Sequence, residues 1–102
     1  MKKAIDGKIY DTEKAELIGS YDAGLGTRDF RNFKEDLYRT KKGRWFLAGQ
    51  GGPLTKYARR AGNNGWTNGS RIIPISEAEA RAWCEHYMAV ELTEKLFELE
   101  EA

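Results

Sequence analysis

The residues in this chain best equipped to do chemistry are cations set among aromatic rings. Lys41, Lys42, Arg44, Lys56, Arg59, Arg60 and Arg71 are interleaved with Trp45, Tyr57 and Trp66. Cations neutralise phosphate and rings stack on bases. Trp, Tyr and Arg also dominate the hot spots of protein interfaces. The pattern points to a contact surface for a protein or a nucleic acid, and not to bond-making. Trp45 and Tyr57 equally suit a core, and the cations a solvated face. Trp66 is different: it lies in the polar stretch Asn64-Gly65-Trp66-Thr67-Asn68 and belongs to no periodic apolar face. It either folds back over the core or is displayed to a partner.

Other chemistries fare worse. Gly49-Gln50-Gly51-Gly52 precedes Pro53 and a stretch of helical composition, Leu54 to Ala61. Helix N-termini bind anions, and Lys56, Arg59 and Arg60 would add charge there. The spacing matches neither the Walker pattern nor GxGxxG, however, and Pro53 removes a donor. A sharp turn out of the preceding strand is the better reading. His86 is the only histidine, and Cys84 lies two residues away, on the opposite side of a helix. That pair is therefore not a catalytic dyad, and one His with one Cys offers no metal site. Asp29, Glu35 and Asp36 have no acid/base spacing. No catalytic residue, metal or cofactor is assigned, and the chain reads as a non-enzyme.

Phe30 to Gly52 predicts a central β-hairpin over Glu35–Ala48 that supports these side chains. Lys41-Lys42-Gly43 is its three-residue loop, with Gly at the αL position. Pairing Thr40 with Arg44 sets Tyr38 against Phe46, Arg39 against Trp45 and Leu37 against Leu47. Both faces then carry large apolar groups, and Lys41, Lys42 and Arg44 project together at the tip. Asp6-Gly7 between Ala4-Ile5 and Lys8-Ile9-Tyr10 predicts a second hairpin. Asp11 to Leu17 predicts one or two helical turns, Ser20 to Thr27 a loop or bulged edge, and Asn63 to Gly69 a run of turns. Arg71 to Ile75 is a short strand in which Pro74 marks an edge or the strand's end. Ser76 with Glu79 forms a capping box that starts a helix running to about Met88. Its covering face is Ala80, Trp83, Tyr87 and Val90. A last helix, roughly Glu91 to Glu101, buries Leu92, Leu96 and Leu99.

These elements predict an α+β fold: a small antiparallel sheet with a central hairpin, covered by C-terminal helices, in a single domain over residues 1–102. The chain of 102 residues is too short for a core plus an elaborate internal active site. Seventeen basic against sixteen acidic residues give a net charge of +1. That excludes a strongly cationic nucleic-acid protein and an acidic mimic of DNA. The charge is polarised all the same. Arg28 to Arg71 holds 11 Lys or Arg against Asp29, Glu35 and Asp36, whereas after Glu77 glutamates outnumber Arg81 and Lys95. A single cysteine suits a reducing cytoplasm. No apolar run has the length of a transmembrane helix or signal core, so a soluble, cytoplasmic protein without membrane contact is expected.

Three segments carry a resemblance: DGKIYDTEKAELIGSY, LYRTKKGRWFLAGQGGPLTKYA and IIPISEAEARAWCEHYM. Through them the chain resembles a family of small proteins carried by mobile genetic elements and prophages of gut and soil bacteria. The middle segment is the most specific. Such cargo often includes anti-CRISPR and other counter-defence proteins. The resemblance therefore implies a non-enzymatic inhibitor that binds a host defence protein or ribonucleoprotein complex through the basic and aromatic residues. A nucleic-acid-binding accessory module using the same residues is the alternative.

Overall fold

The computed structural model describes residues 1–102 and builds an α+β fold from eight strands and two helices. Asp6 and Gly7, both at positive φ (51° and 74°), turn β1 (Lys2–Ile5) back onto β2 (Lys8–Asp11) as the Asp-Gly step requires. The main sheet is antiparallel, in the order β3 (Glu16–Asp22), β4 (Phe33–Arg39), β5 (Trp45–Gly51), β8 (Gly69–Ile75). The β4–β5 register is the one expected from the three-residue loop: Leu37 opposite Leu47, Tyr38 opposite Phe46, Arg39 opposite Trp45. Gly43 at φ 85° closes that loop, and the Thr40 amide donates to the Arg44 carbonyl at 2.7 Å. β8 is an edge strand, where Pro74 costs no ladder bond on its outer side.

Both faces of the central hairpin are buried. On one, Leu37, Trp45 and Leu47 pack against Ala80, Trp83, Cys84 and Phe97. On the other, Phe46 packs with Tyr10 and Ile72, flanked by Ile5, Tyr38 and Ala48. The helices α1 (Glu77–Tyr87) and α2 (Val90–Leu96) thus cover one face, and the β1–β2 hairpin covers the other. Ser76 caps α1 with the full capping box: its hydroxyl accepts from the Glu79 amide at 3.1 Å, and its own amide donates to the Glu79 carboxylate at 3.0 Å.

Five expectations need correction. Asp11 caps a single turn, accepting the Glu13 amide at 2.9 Å, and no helix follows because Glu16 and Leu17 are drawn into β3 beside Arg39 and Tyr38. Leu54 to Ala61 is not a helix: residues 53–57 form turns and β6 (Arg59–Ala61) follows. Tertiary bonding of Tyr57, described below, overrides the local propensity. Asn63 to Gly69 is not merely turns, since Gly65–Thr67 forms β7 and pairs with β6 in a two-stranded hairpin. The central hairpin extends beyond Glu35–Ala48 to Phe33 and Gly51. Finally, α2 is shorter than expected; it buries Thr93 and Phe97, while Val90 and Leu99 stay exposed and Leu92 and Leu96 are half-buried.

Candidate functional site

The cations singled out in the sequence fall into three places. Lys41, Lys42 and Arg44 are exposed at the β4–β5 tip, as the register requires. Arg59, Arg60 and Trp66 sit on the β6–β7 hairpin, which joins the sheet where Gly69 pairs with Gly51. That is the far end of β5, six residues from Trp45, so roughly 20 Å of strand separates this group from the tip. Lys56 and Arg71 lie between the two, on the helix-covered face. The structure therefore does not bring the predicted surface together as one patch.

Lys56 belongs to a buried network built on Glu35, which the sequence places only among carboxylates without acid/base spacing. Glu35 is 2% exposed, on β4, opposite Gly49 of β5. The Lys56 ammonium lies 2.6 Å from its Oε2, the Tyr57 hydroxyl donates to the same oxygen at 2.6 Å, and the Trp83 indole N–H donates to Oε1 at 2.9 Å. Burial by itself would raise the Glu35 carboxyl; the ammonium and the two donors outweigh it and hold the group below the ordinary glutamate range. Burial, reinforced by the neighbouring carboxylate, pushes the Tyr57 phenol far above its usual value, so it stays a donor. The network ties the sheet, the 53–57 turn and α1 into one body. Lys56, whose side chain is half exposed, carries the network to the surface.

Gly49 makes this network sterically feasible. A Cβ there would overlap the Tyr57 ring and hydroxyl, and one at Gly51 would overlap the Thr55 hydroxyl. Gly49, Gly51 and Gly52 thus accommodate the returning chain. Gly49 and Gly51 lie within β5, and no helix N-terminus follows them.

Trp66 is displayed: it is 56% exposed, and the Arg60 guanidinium sits 5.4 Å from its ring centroid as its cross-strand partner. At the same end of the sheet, Phe30 (61% exposed) and Leu54 (70%) are held side by side, the Leu54 amide donating to the Phe30 carbonyl at 2.9 Å. Sequence reasoning missed this pair because neither residue belongs to a periodic face. Beside it runs a polar groove of about 480 Å³ lined by Asp29, Lys34, Gln50, Arg59, Asn68 and Ser70. At the other end, Lys8 and Lys14 join Lys41, Lys42 and Arg44 around a second groove of about 520 Å³.

Cys84 is buried, and burial raises its thiol, while His86 is exposed with its ring 4.5 Å from that of Tyr87. The two side chains do not meet. No group of three or more His, Cys, Asp or Glu is placed to hold a metal ion, and no helix is long and apolar enough to cross a membrane. Comparison of the chain with models of protein families, with curated proteins and with solved structures found no match.

Proposed function

We propose that this chain is a non-enzymatic protein-binding module that engages its partner with the end of the molecule carrying Trp66. The observation that carries this reading is the exposure of Trp66 on a short hairpin, backed by the Arg60 guanidinium. An indole held by its neighbours loses little conformational freedom on docking, and Trp and Arg are both enriched at interface hot spots. Phe30 and Leu54 add exposed apolar surface at the same end, which offers nothing to phosphate and much to a protein. The resemblance to mobile-element cargo supplies the partner class: a host defence complex, which the module would inhibit by occupying it.

The test is affinity capture from a bacterial host lysate, with and without nuclease, using the parent and Trp66→Ala. The indole makes no core contact, so the variant should keep its stability within about 0.5 kcal/mol. It should lose the captured protein, and capture by the parent should survive nuclease and weaken little with salt. Equal capture by parent and variant would remove Trp66 from the interface. Loss of the partner on nuclease treatment would favour the nucleic-acid reading.

A further inference from the structure

We infer that the groove between β2 and the β4–β5 loop binds the phosphate backbone of duplex nucleic acid without reading its sequence. This site is distinct from the Trp66 end and does not depend on the function proposed for it. Lys8 and Lys14 come from the N-terminal hairpin and the turn after it; Lys41, Lys42 and Arg44 come from the loop opposite. Asp11 is the one carboxylate in the lining. A second depression continues from the first and shares Lys14, Thr40 and Lys41 with it.

None of these five cations is neutralised within the molecule. The four ion pairs lie elsewhere, at Arg31–Asp29, Lys34–Asp22, Arg39–Glu16 and Lys56–Glu35. Asp11 turns one carboxylate oxygen to the Glu13 amide at 2.9 Å. Two tight turns, at Asp6-Gly7 and at Gly43, hold the opposing cations on short supports. Concentrated, unpaired positive charge on a rigid concave surface is a site for an anion.

The lining suits a run of phosphates. Four of the five cations are Lys, compact point charges that bind phosphate oxygens without demanding one fixed geometry. The one ring in the wall, Tyr10, is 6% exposed and offers no stacking platform, whereas single-strand binders depend on such rings. What remains is contact with phosphates alone, and a duplex supplies them most densely, at about one charge per 1.7 Å of axis. A duplex does not enter a groove of this size. The phosphates of one strand run along it, and with no base contact sequence is not read.

Fluorescence anisotropy with a labelled duplex of about 20 base pairs tests this across a salt series. The net charge of the lining sets the expected slope of log K against log salt, about −3 to −4. K41E/K42E/R44E and K8E/K14E should each weaken binding by about tenfold or more at low salt. R59E/R60E removes as much charge as K8E/K14E from the other end, and should stay within about threefold of the parent. Circular dichroism establishes that each variant is folded, and the two groove variants rest on separate segments. Equal losses in the two charge-matched variants would overturn the site, as would a slope shallower than about −1. Tighter binding to a single strand would overturn the duplex assignment. Displacement of the duplex by polyglutamate as effectively as by unlabelled duplex would assign the groove to an acidic protein segment instead.

Discussion

Replacing Glu35 by Gln changes one oxygen to an amino group and leaves the shape nearly intact, yet three donors converge on the original carboxylate. The amide has a single acceptor oxygen. Turned toward Trp83, it leaves the Tyr57 hydroxyl proton without its acceptor; turned toward Tyr57, it sets its own N–H₂ against the indole N–H. Either way a buried donor goes unpaired. A hydrogen bond to a charged acceptor is worth about 1.5–3 kcal/mol, and the surviving bond is weakened by loss of the charge. Lys56 is half exposed and returns to water, so the full cost of about 3–5 kcal/mol for orphaning a buried charge does not apply. The expected loss is about 2–4 kcal/mol, or roughly 10–25 °C in melting temperature for a domain of this size. The deficit should depend on pH. The folded-state pKa of Glu35 is depressed, so its contribution is complete above the unfolded glutamate value of about 4.3 and is lost as pH falls through the lower folded value. Thermal melts followed by circular dichroism should therefore show parent and variant far apart near neutral pH and converging in acid. A variant that melts within about 2 °C of the parent at neutral pH would refute the network's role. A gap that stays constant down to about pH 2 would refute the charge argument.

Gly49→Ala should destabilise by about 2–4 kcal/mol, since the added methyl displaces the Tyr57 ring and with it the bond to Glu35. Urea unfolding measures this, and an unchanged midpoint would show that the ring has room to move. Trp83→Ala removes the side chain that both fills the helix-side core and donates to Glu35, and should cost about 3–5 kcal/mol by the same assay. A loss below about 1 kcal/mol would mean that the helix face is misassigned.

The parts of the fold that could be read from the sequence are those whose information is local. Asp6-Gly7 and Lys41-Lys42-Gly43 carry their turn chemistry within two or three residues, and alternation on either side then fixes the register. The Ser76/Glu79 box likewise names its own helix start. Leu54 to Ala61 was misread because its conformation is decided elsewhere: Tyr57 bonds a residue 22 positions away, which in turn bonds one 48 positions away. One signal was present in the sequence, since Gly49 and Gly51 stand two apart in a strand and so clear the same face for a returning segment. The cationic surface was merged from separate places because proximity in sequence says nothing of strand direction. The hairpin register contained the remedy: β5 runs away from the tip, so residues following Gly51 had to begin at the far end. Lys8 and Lys14 were missed for the converse reason, their approach to the tip being a tertiary docking of two hairpins.

Burial of the central hairpin on both faces has a consequence for the entropy of assembly. The β4–β5 pair closes a loop of three residues, whereas bringing Tyr10 onto Phe46 or Trp83 onto Glu35 closes loops of several tens of residues. The cost of closure rises with the logarithm of loop length, by about 0.6 kcal/mol for each doubling, so the longer closures are each dearer by a few doublings. They also have nothing to close upon until the hairpin exists, because Phe46 faces one covering layer and Leu47 the other. The segment that orders at least entropic cost is the one on which both covering layers depend.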